Sequence, residues 1–151
     1  MWQIGVWEQN EGLAERLSRL GEGRALVRAC SHPALLAGTA LDLLVVSPGA
    51  TGWAGASALS CRTALLPGVL PVLTHALPAA LAVSYGLSGR NTLTLSSLGE
   101  GQASVAVQRE FIALDGRAVE RQELVVPYDG GIPAELLLAQ VGAVLLLGLR
   151  Q

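Results

Sequence analysis

A chain of 151 residues, 51% hydrophobic and 15% charged with a net charge of −2, suits one domain with a substantial core and has no room for a second. All ten basic residues are arginine, so chemistry that needs an amine is excluded: the phosphate-gripping lysine of a P-loop, a Schiff base, a lysine general base. Ten arginines against twelve acids also offer no field for nucleic acid.

In chain order, residues 2–8 read as a short strand. Asn10 is placed to cap a helix that carries Leu13, Leu17 and Leu20 on one face, and Gly21 is placed to end it. Residues 24–29 read as a second strand and 33–36 as a short helical turn. The apolar run 41–46 reads as a third strand, with the continuous hydrophobicity of a buried parallel position. Strand, helix, strand, turn, strand predicts a parallel α/β layer. A small-residue loop follows at 47–57, then two short strands near 62–66 and 80–84 around a proline-rich connection.

From Asn91 the pattern alternates, with Thr92, Thr94 and Ser96 opposite Leu93 and Leu95, as antiparallel strands do. Gly99-Glu100-Gly101 predicts a short hairpin loop. Asp115-Gly116 predicts a tight two-residue turn, which would set Leu114 against Arg117, Glu110 against Arg121 and Arg109 against Gln122. The expected meander has strands near 92–98, 102–114 and 117–127. Pro133 suits a first helical turn, and residues 132–149 are apolar on nearly every face, as in a helix packed beneath a sheet.

The expected fold is therefore a single α/β domain over residues 1–151. It has a Rossmann-like parallel layer of about five strands (1–89), a three-stranded antiparallel meander (90–128) and a closing C-terminal helix (132–149). Residues 63–89 carry no Asp, Glu or Arg, but Pro67, Pro71 and Pro78 interrupt them; residues 132–149 contain Glu135 and Gln140. Neither stretch reads as a membrane span, so membrane association is not expected. Glu8, Glu11 and Glu15 precede the first arginine, Arg16, which is the wrong charge for a signal peptide and points to the cytoplasm.

The loop at 47–57 lies after a parallel strand, where open α/β sheets place ligand crevices. Its Gly49, Gly52 and Gly55 permit close backbone approach, and Ser47, Thr51 and Ser57 offer hydroxyls. The spacing matches neither phosphate-binding glycine motif. Ser47, Gly49, Thr51, Gly52, Arg90 and Arg109 are the candidate ligand-binding residues. Arg109 is expected to snorkel, to pair with Glu120 across the sheet, or to await an anion; Glu110 and Arg121 are expected to form a solvated ion pair. Cys30 and Cys61 sit beside apolar runs and read as buried structural thiols. His32 and His75 have no ligand partners at metal-binding spacing, and no G-x-S-x-G elbow is present, so neither metal, cofactor nor catalytic residue is expected.

Two family resemblances follow from these residues. Residues 1–50 resemble the layout of response-regulator receiver domains: strand, acids, helix, strand, then Asp42-Leu43-Leu44-Val45-Val46-Ser47-Pro48. Ser47 stands at the phosphoacceptor aspartate, and the lysine of that family has no counterpart, so the resemblance implies a shape without phosphoryl signalling. From about 82 to 149, the run Ala82-Val83-Ser84-Tyr85-Gly86-Leu87, a β-rich stretch, Val125-Val126-Pro127 and a glycine pair before an alanine/leucine helix resemble the central domain of Mur ligases. Gly130-Gly131-Ile132-Pro133 lacks that family's His-Asn, and its P-loop and carbamylated lysine are absent. The resemblance thus implies a ligase-like shape without ATP-dependent ligation.

The function expected from the sequence is a non-catalytic interaction or regulatory module, forming a homo-oligomer or binding a protein partner through the strand at 92–98 or a tryptophan-bearing surface. The alternative is a small-molecule or nucleotide-binding domain that uses the 47–57 loop and Arg90.

Overall fold

The computed structural model describes residues 1–50, 59–68 and 79–149. In chain order they form β1 (Trp2–Trp7), α1 (Leu13–Leu20), β2 (Ala25–Cys30), a 3-10 turn (Pro33–Leu36), β3 (Ala40–Val46), β4 (Ser60–Pro67), β5 (Ala79–Tyr85), β6 (Leu93–Gly99), β7 (Gln102–Val107), β8 (Phe111–Ile112), β9 (Ala118–Val119), β10 (Gln122–Pro127) and α2 (Ala134–Leu147). Eight strands make one sheet in the order β10-β7-β6-β5-β4-β3-β1-β2, and β8 pairs with β9 apart from it. β2, β1, β3, β4, β5 and β6 run parallel, while β7 is antiparallel to both β6 and β10. The mixed α/β class is as the sequence predicts, and the order 2-1-3-4-5 of its first five strands is one of the two common doubly wound arrangements.

The period-two alternation of the strands divides the core between the two sheet faces. Ile4, Val6, Leu43, Val45, Leu65, Val83, Tyr85 and Leu93 face one side, against Leu13 and Leu17 of α1 and the leucines of α2. Trp7, Leu44, Val46, Ala64 and Leu66 face the other, where Leu36 of the 3-10 turn and Leu59 pack on them. Adjacent residues of β3 thus enter opposite cores, which is why its sequence is apolar without interruption from Leu43 to Val46.

α2 is buried on almost all of its circumference because it is covered from several directions. The sheet lies on one side and α1 touches another. The β8–β9 hairpin reaches it as well, since the Leu114 N–H donates to the Leu146 carbonyl at 2.9 Å and Phe111 and Leu114 join the same core. Gly142 makes the close packing possible: a Cβ there would lie 2.8 Å from Leu93 Cδ1 and 3.0 Å from Leu65 Cδ1.

The meander departs from the expected register. β7 ends at Val107, which pairs with Gln122, so the predicted Arg109–Gln122 pairing is displaced by two residues. Residues 108–110 oppose only 120 and 121 before pairing resumes at Phe111 with Val119. The single strands expected at 102–114 and 117–127 are therefore each broken in two. The Glu110–Arg121 and Arg109–Glu120 ion pairs do not form; Arg117–Asp115, at 2.8 Å, is the ion pair among the described residues. The physical reason is the apolar face of α2, which Phe111 and Leu114 reach only if the hairpin leaves the sheet. Its turn is also longer than expected, because the Ala113 N–H donates to the Arg117 carbonyl and Leu114, Asp115 and Gly116 form a three-residue loop.

Gly116 nevertheless adopts φ +89°, the positive value that the turn chemistry required. Gly116→Val is expected to lower stability by about 1 kcal/mol or more, because a β-branched residue is strained there. Chemical denaturation measures it; an unchanged midpoint would mean that the loop relaxes without loss.

Candidate functional site

The carboxyl ends of the parallel strands gather most of the polar side chains singled out by sequence, and β1 and β3 meet there at the point where the strand order reverses. Glu8 follows β1 and is buried. Its carboxylate accepts the amides of Glu11 at 2.9 Å, Leu13 at 3.0 Å and Ala14 at 2.7 Å. It thereby supplies the cap of α1 that was expected from Asn10. Asn10 instead takes a left-handed conformation at φ 56°, Gly12 occupies the N-cap position without a side-chain bond, and Gly21 ends the helix as predicted. A carboxylate from the preceding strand can reach several helix-start amides at once, whereas one asparagine can satisfy one or two.

Glu11 closes the crevice between β1 and β3. The Ser47 hydroxyl donates to Glu11 Oε1, and the Gly49 amide donates to Glu11 Oε2 at 3.3 Å. Ser47 is fully buried, and its own amide bonds the Trp7 carbonyl at 2.9 Å. The donors that an incoming phosphate would use at Ser47 and Gly49 are thus held by a carboxylate of the chain itself. Thr51, Gly52, Gly55 and Ser57 of the same loop, and His75, lie outside the described residues.

Two strands along the same edge, the Tyr85 hydroxyl donates to the Val46 carbonyl at 2.5 Å. Burial raises its pKa, and the charges of Glu11 and Glu135 raise it further. Burial pushes the Cys61 thiol up to about 11. Burial and then the Glu8 charge push Cys30 up to about 11. Both thiols are free, buried and protonated at neutral pH, as expected of structural cysteines. His32 accepts the Ala34 amide at 3.2 Å and so caps the 3-10 turn. Among the described residues no group of three or more His, Cys, Asp or Glu stands in a position to hold a metal ion.

Arg90 and Arg109 come together beyond β5, apart from the Ser47 crevice. β6 meets β5 at the single bridge Tyr85–Leu93, so the connecting loop turns back on itself at the edge of the sheet. Gln108 staples it: its Nε2 donates to the carbonyls of Gly89 at 3.0 Å and Asn91 at 2.7 Å, and Asn91 Nδ2 donates to the Ser88 carbonyl at 2.9 Å. The Arg109 guanidinium donates to the Arg90 carbonyl. Asn91 occupies the space that a side chain at Gly68 would need, since a Cβ there would stand 1.7 Å from Asn91 Oδ1. Arg90 and Arg109 share a hollow of about 300 Å³ with Ser84 and Thr92.

Sequence reasoning missed Glu8, Glu11, Asn91 and Gln108. The acids after β1 carried a signal, because carboxylates just before a helix complement its first amides. Gln108 and Asn91 carried none, since their partners are backbone carbonyls of a loop that only the fold brings near. The geometry defines a mixed α/β domain whose crevice at the strand reversal is filled by its own carboxylates and which has a separate arginine-lined hollow. Neither the family models nor the curated proteins contain a match to the chain.

Proposed function

We propose that the chain is a non-catalytic regulatory or interaction module. The observation that carries this reading is the occupation of the β1/β3 crevice: Glu11 takes up the Ser47 hydroxyl and the Gly49 amide, and Glu8 takes up the first amides of α1. These are the groups with which an α/β domain binds a phosphate or an oxyanion. The ligase-like run from Ala82 contributes shape alone to this reading, because the chain has no lysine to act on a nucleotide.

The interaction half of the proposal keeps the strand expected at 92–98 and adds the two outer strands of the sheet. β6 pairs along its length with β7, but among the described residues it meets β5 only at Tyr85–Leu93, so residues 94–99 keep an open edge on that side. Trp7 is fully buried and Trp2 packs on the core, so these two do not form the expected tryptophan surface; Trp53 lies outside the described residues. β2 and β10 are the outer strands, and they expose Leu26 and Val125. Outer strands present backbone donors and acceptors to a second chain, and neither has a lysine to discourage pairing.

The purified protein is expected to scatter light as a dimer, or to co-purify with a partner, and to release no phosphate from ATP. A monodisperse monomer at high concentration with no co-purifying protein would overturn the interaction reading. ATP turnover that survives repurification and is lost in Ser47→Ala would overturn the non-catalytic one.

A further inference from the structure

The hollow beside Arg90 and Arg109 presents donors to whatever occupies it. It has a volume of about 300 Å³ and, among the described residues, no aspartate or glutamate in its lining, in a chain whose net charge is −2. Arg90 and Arg109 both border it. The Ser84 hydroxyl oxygen accepts the Thr92 amide at 3.1 Å, which leaves its proton free to point elsewhere, and Thr92 adds a second hydroxyl. Leu66 and Ala82 supply an apolar floor.

We infer that this hollow binds a small molecule through a phosphate group. One guanidinium already satisfies a carboxylate with two parallel N–H bonds; two guanidiniums with two hydroxyls suit an anion with three terminal oxygens. The size and the part-apolar lining suit a compact body attached to that phosphate. The loop that carries Arg90 and the guanidinium of Arg109 are held before a ligand arrives. Gln108 ties the loop through Gly89 and Asn91, Arg109 bonds the Arg90 carbonyl, and Asn91 is wedged against Gly68, so the ordering left to binding is chiefly that of the Arg90 side chain. The site stands on its own geometry and does not depend on whether the β1/β3 crevice is inert.

The test uses inorganic phosphate as the probe, followed by calorimetry and by the melting temperature, against sodium chloride at matched ionic strength. Saturable binding and a rise in melting temperature with phosphate alone are expected. Arg90→Gln removes a side chain with no partner among the described residues, so it is expected to weaken binding about tenfold or more with the fold unchanged. Arg109→Lys keeps the charge and loses the fork, and a comparable loss is expected. Arg117→Gln, in the exposed pair with Asp115, is expected to bind as the parent does. An equal rise in chloride, or undiminished binding when Arg90→Gln and Arg109→Lys are combined, would overturn the proposal.

Discussion

Glu8→Ala is expected to destabilise the domain by about 3 kcal/mol, one of the largest losses available from a single polar residue here. Its carboxylate accepts three amides at 2.7 to 3.0 Å, and the Leu13 amide among them is buried. A hydrogen bond to a charged group contributes about 1.5–3 kcal/mol, and losing the acceptor strands a buried donor at a cost of about 1–3 kcal/mol. The three contributions do not add, because water reaches the amides of Glu11 and Ala14 once the carboxylate is gone. The favourable placement of a negative charge at a helix start, about 0.3–1 kcal/mol, is lost as well. Glu8→Gln keeps one accepting oxygen and should lose roughly half as much. Urea denaturation of the two variants decides it: a loss below about 1 kcal/mol in Glu8→Ala would show that Glu11 or water replaces the cap.

Leu138→Ala is expected to cost about 3–4 kcal/mol, since Leu138 is completely buried in α2. The loss combines the transfer of the removed carbons with the cavity they leave. The cavity term should be large because α2 lies between the sheet and the β8–β9 hairpin and has little freedom to collapse inward. Leu35→Ala is the matched control: this leucine is 69% exposed on the 3-10 turn and should change stability by less than about 0.5 kcal/mol. Equal effects at the two positions would mean that α2 is not the centre of the larger core.

The hairpin shows why a locally correct reading can yield a wrong register. Gly116 takes the positive φ that Asp-Gly implied, yet the loop has three residues instead of two. Local chemistry requires one such residue in either loop, so turn type alone does not choose between them. The choice is made by Phe111 and Leu114, which enter the core under α2 only when the strand breaks at 108–110. The same break carries Arg109 away from Glu120 and places its guanidinium on the Arg90 carbonyl.

By itself the sequence determined the properties that reside in neighbouring residues. These are the strands of the parallel layer and the burial of β3 on both faces, the ends of α1 at Gly21 and of the meander turns at glycines, the buried thiols, and the exclusion of lysine chemistry. Periodicity, propensity and residue type act over a few positions, so they are legible without a fold. Tertiary structure alone decided that Glu11 fills the crevice at Ser47, which strands lie at the edges, and that Arg90 and Arg109 share one hollow. Each of these depends on pairs distant in sequence, 36 residues for Glu11 with Ser47 and 19 for Arg90 with Arg109, whose meeting follows from sheet order and core closure.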